Sequence, residues 1–444
     1  MSNVAQIESA LKQILEEEAP QLARETGFIE RERNLSGADF AQTLVFGWLQ
    51  DPQITLDGLS QLAQIREVTI SAPGLSKRFT PEGAAFLQAI LQRVASQHLR
   101  AEAVDIPLLR RFSAVMVEDS TQVLLPSELA HLWQGCGGSG SMSPAQVKLH
   151  TRWDLLSGEL LGPRLTDGRV PDSRSPFKDE PLPAESLYLS DLGYFDLGWL
   201  KQLARRQQGK KRYFLTRLKQ STKLYTRGGH ELVLRGLLPQ QEGQIVQAGV
   251  LVGAKARLAA RLILVKVPKE VAEQRRARLE EEAKDEGREV SEQQWYLAHW
   301  TIVITNVVSK RVGLPEVFVL LRLRWQIELL FKRWKSGGQV DEWRSKKPWR
   351  ILCEVYGKLI GQLIQHWLQL LGCWHDPHRS LVKAAQVVRG AAQRLLAALA
   401  GEAQVSRVIE SIARQMQSGC RLNTRKTRPN TSQLLLDGLD WPLS

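Results

Sequence analysis

The chain has 444 residues, 43% hydrophobic and 24% charged, which excludes a disordered or fibrous protein and leaves room for roughly two to four globular domains. Sixty Lys and Arg against 47 Asp and Glu give a formal net charge of +13 and a pI near 9.7, which points to an acidic partner; nucleic acid leads, and an anionic membrane surface is the competing source of the same attraction. No apolar run approaches the roughly 20 residues that span a bilayer, Met-Ser-Asn-Val-Ala-Gln-Ile-Glu lacks the features of a signal peptide, and Cys136, Cys353, Cys373 and Cys420 are scattered without a Cys-x-x-Cys pair, so the expected setting is a reducing cytoplasm without disulfide framework or zinc site.

Residues 1–107 read as helical, with helices over Ile7–Ala23, Leu56–Ile65, Leu75–Phe79 and Pro81–Val94. Thr80-Pro81-Glu82 is a start signal, with Thr80 as N-cap and Pro81 at the first helical position. Ser71-Ala72-Pro73-Gly74, followed by Lys77 and Arg78, leaves two readings open: a helix-turn-helix that reads DNA, or a small helical bundle with solvated cations.

From Arg111 the texture changes. Ser113–Glu118 is a short apolar strand predicted to end at Asp119-Ser120-Thr121. Gln146–Leu155 and Leu160–Thr166 flank a Ser157-Gly158 hairpin turn, and Gly135–Ser143 is a loop. Ser186–Ser190 is a further strand, again followed by an aspartate, Asp191; a helix starts at Asp196 as N-cap, and Arg212–Thr216 is another strand. Residues 219–300 carry strand-like runs at Leu232–Leu237, Gln244–Val252 and Ala259–Val267, then a charged, solvated helix within Lys269–Glu292. Trp300–Thr305 returns to strand character, residues 350–415 are largely helical, and Arg421–Pro429 is a basic cluster. Antiparallel strands followed by strands alternating with helices predict a mixed α/β sheet.

Residues 321–335 hold the most informative charges. On an α-helix, Glu328 sits about 40° from Arg324, and Lys335 about 20° from it. Ordinary i,i+4 ion pairs, Arg324 with Glu328 and Glu328 with Lys332, account for the same residues. Asp119 and Asp191 each read equally well as turn residues or as ligands at strand ends. Three gathered carboxylates repel one another unless divalent cations sit among them, and two Mg²⁺ ions can then serve both the attacking and the leaving oxygen of a phosphodiester displacement. Glu118, one residue before Asp119, points to the opposite face of a strand.

Val-Glu-Asp119-Ser-Thr, Ser-Asp191-Leu-Gly-Tyr-Phe, Ile304-Thr305-Asn306 and Arg324-x3-Glu328-x6-Lys335 together resemble the DDE transposases of the insertion-sequence-4 family, over residues 110 to 370 and weakly into the Cys420–Pro429 tail. The resemblance implies a ribonuclease-H-like core (108–218 and 301–372) interrupted by a β-rich insertion with a charged helix (219–300), a helical N-terminal DNA-end-binding domain (1–107), and a helical C-terminal region with a basic tail (373–444). It implies Asp119, Asp191 and Glu328 as ligands of Mg²⁺, with Mn²⁺ able to substitute, and Arg324 and Lys335 as phosphate contacts. Leu321 departs from the pattern, which has a tyrosine there. A tryptophan of the insertion is expected to stack on a flipped base, with Trp300 as candidate and Trp295 competing; a buried strand tryptophan is the plain alternative. The implied activity is cut-and-paste transposition by a homodimer on double-stranded DNA, acting on terminal inverted repeats and target, with helices such as Ile351–Leu371 as contact surfaces or simply core. A ribonuclease-H-like nuclease and a transposase-derived DNA-binding protein are the competing classes.

Overall fold

Side chains that accept backbone N–H groups start most of the N-terminal helices in the computed structural model, which describes residues 3–31, 34–136, 143–205, 209–285, 287–423 and 431–436. Asn3 and Ser36 form capping boxes at α1 (Val4–Lys12) and α3 (Gly37–Gln50); a π-helical stretch, Gln13–Glu18, leads from α1 into α2 (Ala19–Glu25). Thr55, Ser71 and Thr80 cap α4 (Leu56–Ala63), α5 (Ala72–Ser76) and α6 (Pro81–Ala95), the last with Pro81 in the first turn as expected. The strands and helices that follow are β1 (Val115–Leu125), β2 (Ala145–Asp154), β3 (Leu160–Asp167), β4 (Leu187–Ser190), α7 (Leu197–Ala204), β5 (Tyr213–Arg217), β6 (Leu224–Tyr225), β7 (Glu231–Leu232), β8 (Ile245–Val252) and β9 (Leu258–Lys266). Then come α8 (Lys269–Asp285), α9 (Glu292–Leu297), β10 (Trp300–Thr305), α10 (Leu314–Leu323), α11 (Trp325–Lys332), α12 (Pro348–Gly372), α13 (Leu381–Gly390), α14 (Ala392–Leu399), α15 (Val405–Ser418) and α16 (Thr431–Leu436).

The chain divides into two compact units: Met1–Asp105 with Asp119–Val170 and Ile327–Asn423, and Ile106–Glu118 with Pro171–Gln326 and Thr424–Ser444. The chain passes from one to the other inside β1 and inside α11.

In the first unit α12 is the central helix. Ile351, Leu352, Val355, Leu359, Ile360, Leu363, Ile364 and Leu368 are buried along it, and α3, α6, α13 and α15 pack against it. The burial runs round the whole helix and takes in polar side chains too, among them Glu354, Lys358 and His366, so α12 is covered on every side. Of the two readings of Ile351–Leu371, contact surface or core, the burial of this helix supports core, and the N-terminal helices pack in the same compact unit as α12. α6 buries Phe86, Leu87, Ile90, Leu91 and Val94, and its one cation, Arg93, lies 3.3 Å from Glu18. β2 and β3 form the predicted antiparallel hairpin, turning at Gly158 with φ +76°. The strand order in this unit is β3-β2-β1.

The second unit is built on a mixed sheet in the order β1-β4-β5-β10-β9-β8-β6-β7. β1, β4 and β5 are parallel; from β10 onward every pairing is antiparallel. Phe214, Leu262, Leu264 and Ile304 are fully buried in its core. Asp196 accepts a bond from Trp199 N as the N-cap of α7, as expected. The predicted strand Leu232–Leu237 is mostly a 3-10 turn, Leu234–Leu237, in which none of the residues is buried, so nothing holds it extended. β8, β9 and β10 match their predicted ranges closely and form one ladder. The fold is thus α/β, with helical segments at both ends; among the described residues no helix is long and apolar enough to cross a membrane, and residues 424–430 of the basic cluster lie outside those described.

The contact between α12 and α3 is testable at Gly357, where a Cβ would lie 2.5 Å from Trp48 Cζ3. Alanine is intrinsically better than glycine in a helix by about 1 kcal/mol, but overpacking costs about 1–3 kcal/mol. Gly357→Ala is therefore expected to lower stability in urea unfolding, against the helix-propensity trend.

Candidate active site

Val115-Met116-Val117 of β1 and Leu187-Tyr188-Leu189 of β4 are buried apolar runs that pair in parallel, ending at Glu118 opposite Ser190. The next residue of each strand is an aspartate, Asp119 and Asp191. β4 stops there because Asp191 is followed by a 3-10 turn, Leu192–Tyr194. β1 does not stop, which corrects the expected strand end: it continues to Leu125, and only its pairing with β4 ends at Glu118. Glu118 is buried and accepts a bond from Tyr188 Oη at 3.4 Å, while Asp119 is half-buried, with Oδ1 accepting from Ser120 N at 2.9 Å. The alternation of the strand separates the two acids as expected.

The Arg324–Lys335 segment is not one regular α-helix. α10 ends at Leu323, and Arg324 keeps right-handed backbone (φ −50°, ψ −35°) while its N–H reaches Leu321 O at 3.3 Å. α11 then carries Glu328, half-buried between the buried Ile327 and Leu330, and Arg333–Gly337 is π-helical. The wider turn shifts Lys335 from the angle that regular α-geometry predicts, and such segments recur at functional sites.

In the second unit, Arg324 Nη1 lies 3.8 Å from Asp191 Oδ2, so two of the predicted residues meet. In the first unit, Lys335 Nζ donates to Gln122 O at 2.8 Å, three residues beyond Asp119 on β1, and lies 3.7 Å from Asp341 Oδ2. The turn bearing Asp341 is clamped from below. Lys358 of α12 donates to Gln339 O at 3.2 Å and Glu342 O at 2.7 Å, and its Nζ is 3.5 Å from Glu354 Oε2. Glu354 Oε1 in turn takes Arg350 Nε at 3.1 Å. Lys358 and Glu354 are both almost wholly buried, and burial holds the Lys358 ammonium below its ordinary pKa. Sequence reasoning missed this clamp; its visible signal is a Glu and a Lys four apart within a mainly apolar stretch, Ile351–Ile364.

Trp300 requires a correction. Its ring packs in the core of the second unit, 8% exposed, with Nε1 donating to Pro239 O at 2.9 Å. Trp300, Ile302 and Ile304 share one face of β10, and that face is the core face. Trp300 is thereby a packing residue rather than a platform for a base. Trp295 is the exposed one of the pair, at 36%, with the Arg276 guanidinium 4.7 Å from its ring centre.

Asp119, Asp191 and Glu328 are all hard oxygen donors, the chemistry that suits Mg²⁺ and Mn²⁺. Among the described residues, no three His, Cys, Asp or Glu side chains are gathered as a ready-made metal cage.

A family model described as a transposase DDE domain matches residues 110–363, a span that includes Asp119, Asp191, Arg324, Glu328 and Lys335. The transposase for insertion sequence element IS231F of Bacillus thuringiensis subsp. israelensis is 28% identical over 383 residues, covering 80% of this chain and 78% of that protein. The transposase for insertion sequence element IS1151 of Clostridium perfringens is 27% identical over 371 residues, covering 78% and 76%. Among solved structures, a piggyBac transposase synaptic complex with hairpin DNA aligns with 96% of this chain and 87% of that one, at 10% identity and a TM-score of 0.47.

The clamp beneath Asp341 has a consequence for stability. Removing one partner of a buried ion pair strands the other charge, at a cost of about 3–5 kcal/mol. Lys358→Met is expected to lose that much in chemical denaturation, and Lys358→Met with Glu354→Leu to recover most of it.

Proposed function

The chain belongs to the DDE transposases, enzymes that cleave DNA and join strands, and we propose that it moves an insertion sequence by a cut-and-paste route. In this reading Asp119, Asp191 and Glu328 hold Mg²⁺, for which Mn²⁺ substitutes. The observation that carries it is the pairing of Arg324 with Asp191, which sets a phosphate-binding cation against a metal-binding carboxylate within a span that matches the family. Antiparallel strands followed by parallel β1, β4 and β5, with α7 between β4 and β5, support a ribonuclease-H-like core, and β6–β9 with α8 stand where the insertion is expected.

Bound divalent cations would polarise the attacking oxygen and neutralise charge on the leaving one. The chain's own contribution is positioning. Arg324 presents a planar fork to phosphate oxygens, and Lys335, steadied by Gln122 O and Asp341, presents a point charge. Together they hold the terminal phosphates in line for attack, which is most of what phosphoryl transfer asks of a protein. Water first releases a 3′-hydroxyl at the element end. That hydroxyl attacks the opposite strand to close a hairpin, a second hydrolysis opens it, and the freed 3′-hydroxyl attacks target DNA. Every step exchanges one P–O bond for another, so one site serves them all. Two ends must be processed together, so a homodimer assembled on double-stranded DNA in the cytoplasm is the working species. With Leu321 at the family's tyrosine position, no hydroxyl from that position reaches the end.

Asp119→Asn, Asp191→Asn and Glu328→Gln are each expected to abolish Mg²⁺-dependent cleavage of a duplex ending in the inverted repeat that borders the reading frame, while DNA binding persists in a mobility-shift assay. Full cleavage by any one of them removes that residue from the triad. Lys335→Ala forfeits a charged hydrogen bond of about 1.5–3 kcal/mol, so cleavage should fall roughly ten- to a hundredfold. Non-specific binding should fall much less.

A further inference from the structure

A groove of about 990 Å³ in the second unit gathers Arg217, Arg275, Arg278, Arg322 and Arg324 along its walls, against one carboxylate among the described residues, Glu242. Arg275 is the informative member. Its Nη1 donates to Ala298 O at 3.3 Å and Trp300 O at 3.1 Å, and its Nη2 to Thr301 Oγ1 at 2.8 Å. All three acceptors are neutral, so among the described residues this guanidinium is fixed in place by neutral partners. Burial, with the Arg217 charge adding to it, pulls its pKa down to about 10, which leaves it charged at neutral pH. A desolvated cation beside like charges is an unfavourable arrangement in isolation, and an anion entering the groove relieves both the desolvation and the repulsion.

Guanidinium groups match phosphate oxygens through paired N–H donors. Arg275 and Arg278, three apart on α8, face the same way. The groove is far larger than one phosphate, and one of its lining residues, Arg324, also pairs with Asp191. Leu321 also lines it, so the departure from the family tyrosine falls inside an arginine-rich wall.

We propose that this groove is a phosphate track for a DNA strand, with Arg275 as its fixed anchor and Arg217, Arg278 and Arg322 as contacts beyond the one assigned to Arg324. The track rests on the transposase reading and deepens it. Arginines along the wall supply the phosphate contact that Leu321 does not make, and they lead the strand toward Asp191 without reading its bases.

The test is the salt dependence of binding by the full chain to duplex DNA of arbitrary sequence. Each phosphate contact removed should lower the slope of log K against log salt by about 1. Arg278→Gln is the decisive variant, because Arg278 is exposed, and Arg275→Gln is the second, read together with its melting temperature because Arg275 also ties down the start of β10. Arg414→Gln on α15 makes the same charge change elsewhere and serves as control. The expected result is a shallower slope for Arg278→Gln and Arg275→Gln, with Arg414→Gln like the wild type. An unchanged slope for Arg278→Gln, or an equal loss in Arg414→Gln, overturns the track and leaves the transposase reading standing. Failure of the wild type to bind duplex DNA in a salt-dependent way would overturn both.

Discussion

The parallel ladder between Val115–Glu118 and Leu187–Ser190 is the constraint on which the site depends. Parallel strands are usually buried on both faces; these are buried and are apolar up to their last pair, Glu118 with Ser190, and the pairing keeps the two chains in step to that point. Each chain then continues into an aspartate, one in a strand that runs on and one in a turn that stops. A slip of one residue in either strand would send its aspartate to the opposite face. The register therefore does for the acids what no local propensity does, since aspartate is otherwise a poor strand residue.

Charge is the second organising element. The formal excess of +13 is not spread evenly over the chain. In the second unit, among the described residues, a groove is lined by five arginines, one of which pairs with Asp191. In the first unit Lys335 is steadied by a carbonyl of β1 and by Asp341, whose turn rests on the buried Lys358. Cations held this way lose little conformational freedom when a phosphate arrives, and pre-organisation of that kind is what turns a basic surface into a site.

Much of this was legible from residue order alone, for identifiable reasons. The apolar runs of β8, β9 and β10 lie between strong breaks, and Thr80-Pro81 is a start signal with a mechanism. Asp119, Asp191, Arg324, Glu328 and Lys335 stood out because their types and spacing match the chemistry of a known family. Other features left weak traces. α3 is apolar on nearly every side, so it shows no helical period, and only the Ser36–Asp39 capping box marks it. The π-helical turn at Arg333–Gly337 is a departure from the 3.6-residue period and cannot be read by assuming that period. For Trp300 the plain alternative, a buried strand tryptophan, was already readable: strand alternation places it with Ile302 and Ile304 on one face. The Lys358 clamp joins residues up to 19 apart in sequence through backbone carbonyls, which carry no sequence signature.

The central claim is that Asp119, Asp191 and Glu328 share a divalent metal. Fe²⁺, a divalent cation that can enter a carboxylate site in place of Mg²⁺, generates hydroxyl radicals in the presence of ascorbate and peroxide and cuts the polypeptide beside its own site. Mapping the fragments of the full chain by mass spectrometry should place cuts near residues 119, 191 and 328. All three should be suppressed by excess Mg²⁺ and lost together in Asp191→Asn. Cuts elsewhere, or cuts at 119 and 328 that survive in Asp191→Asn, would contradict a shared site.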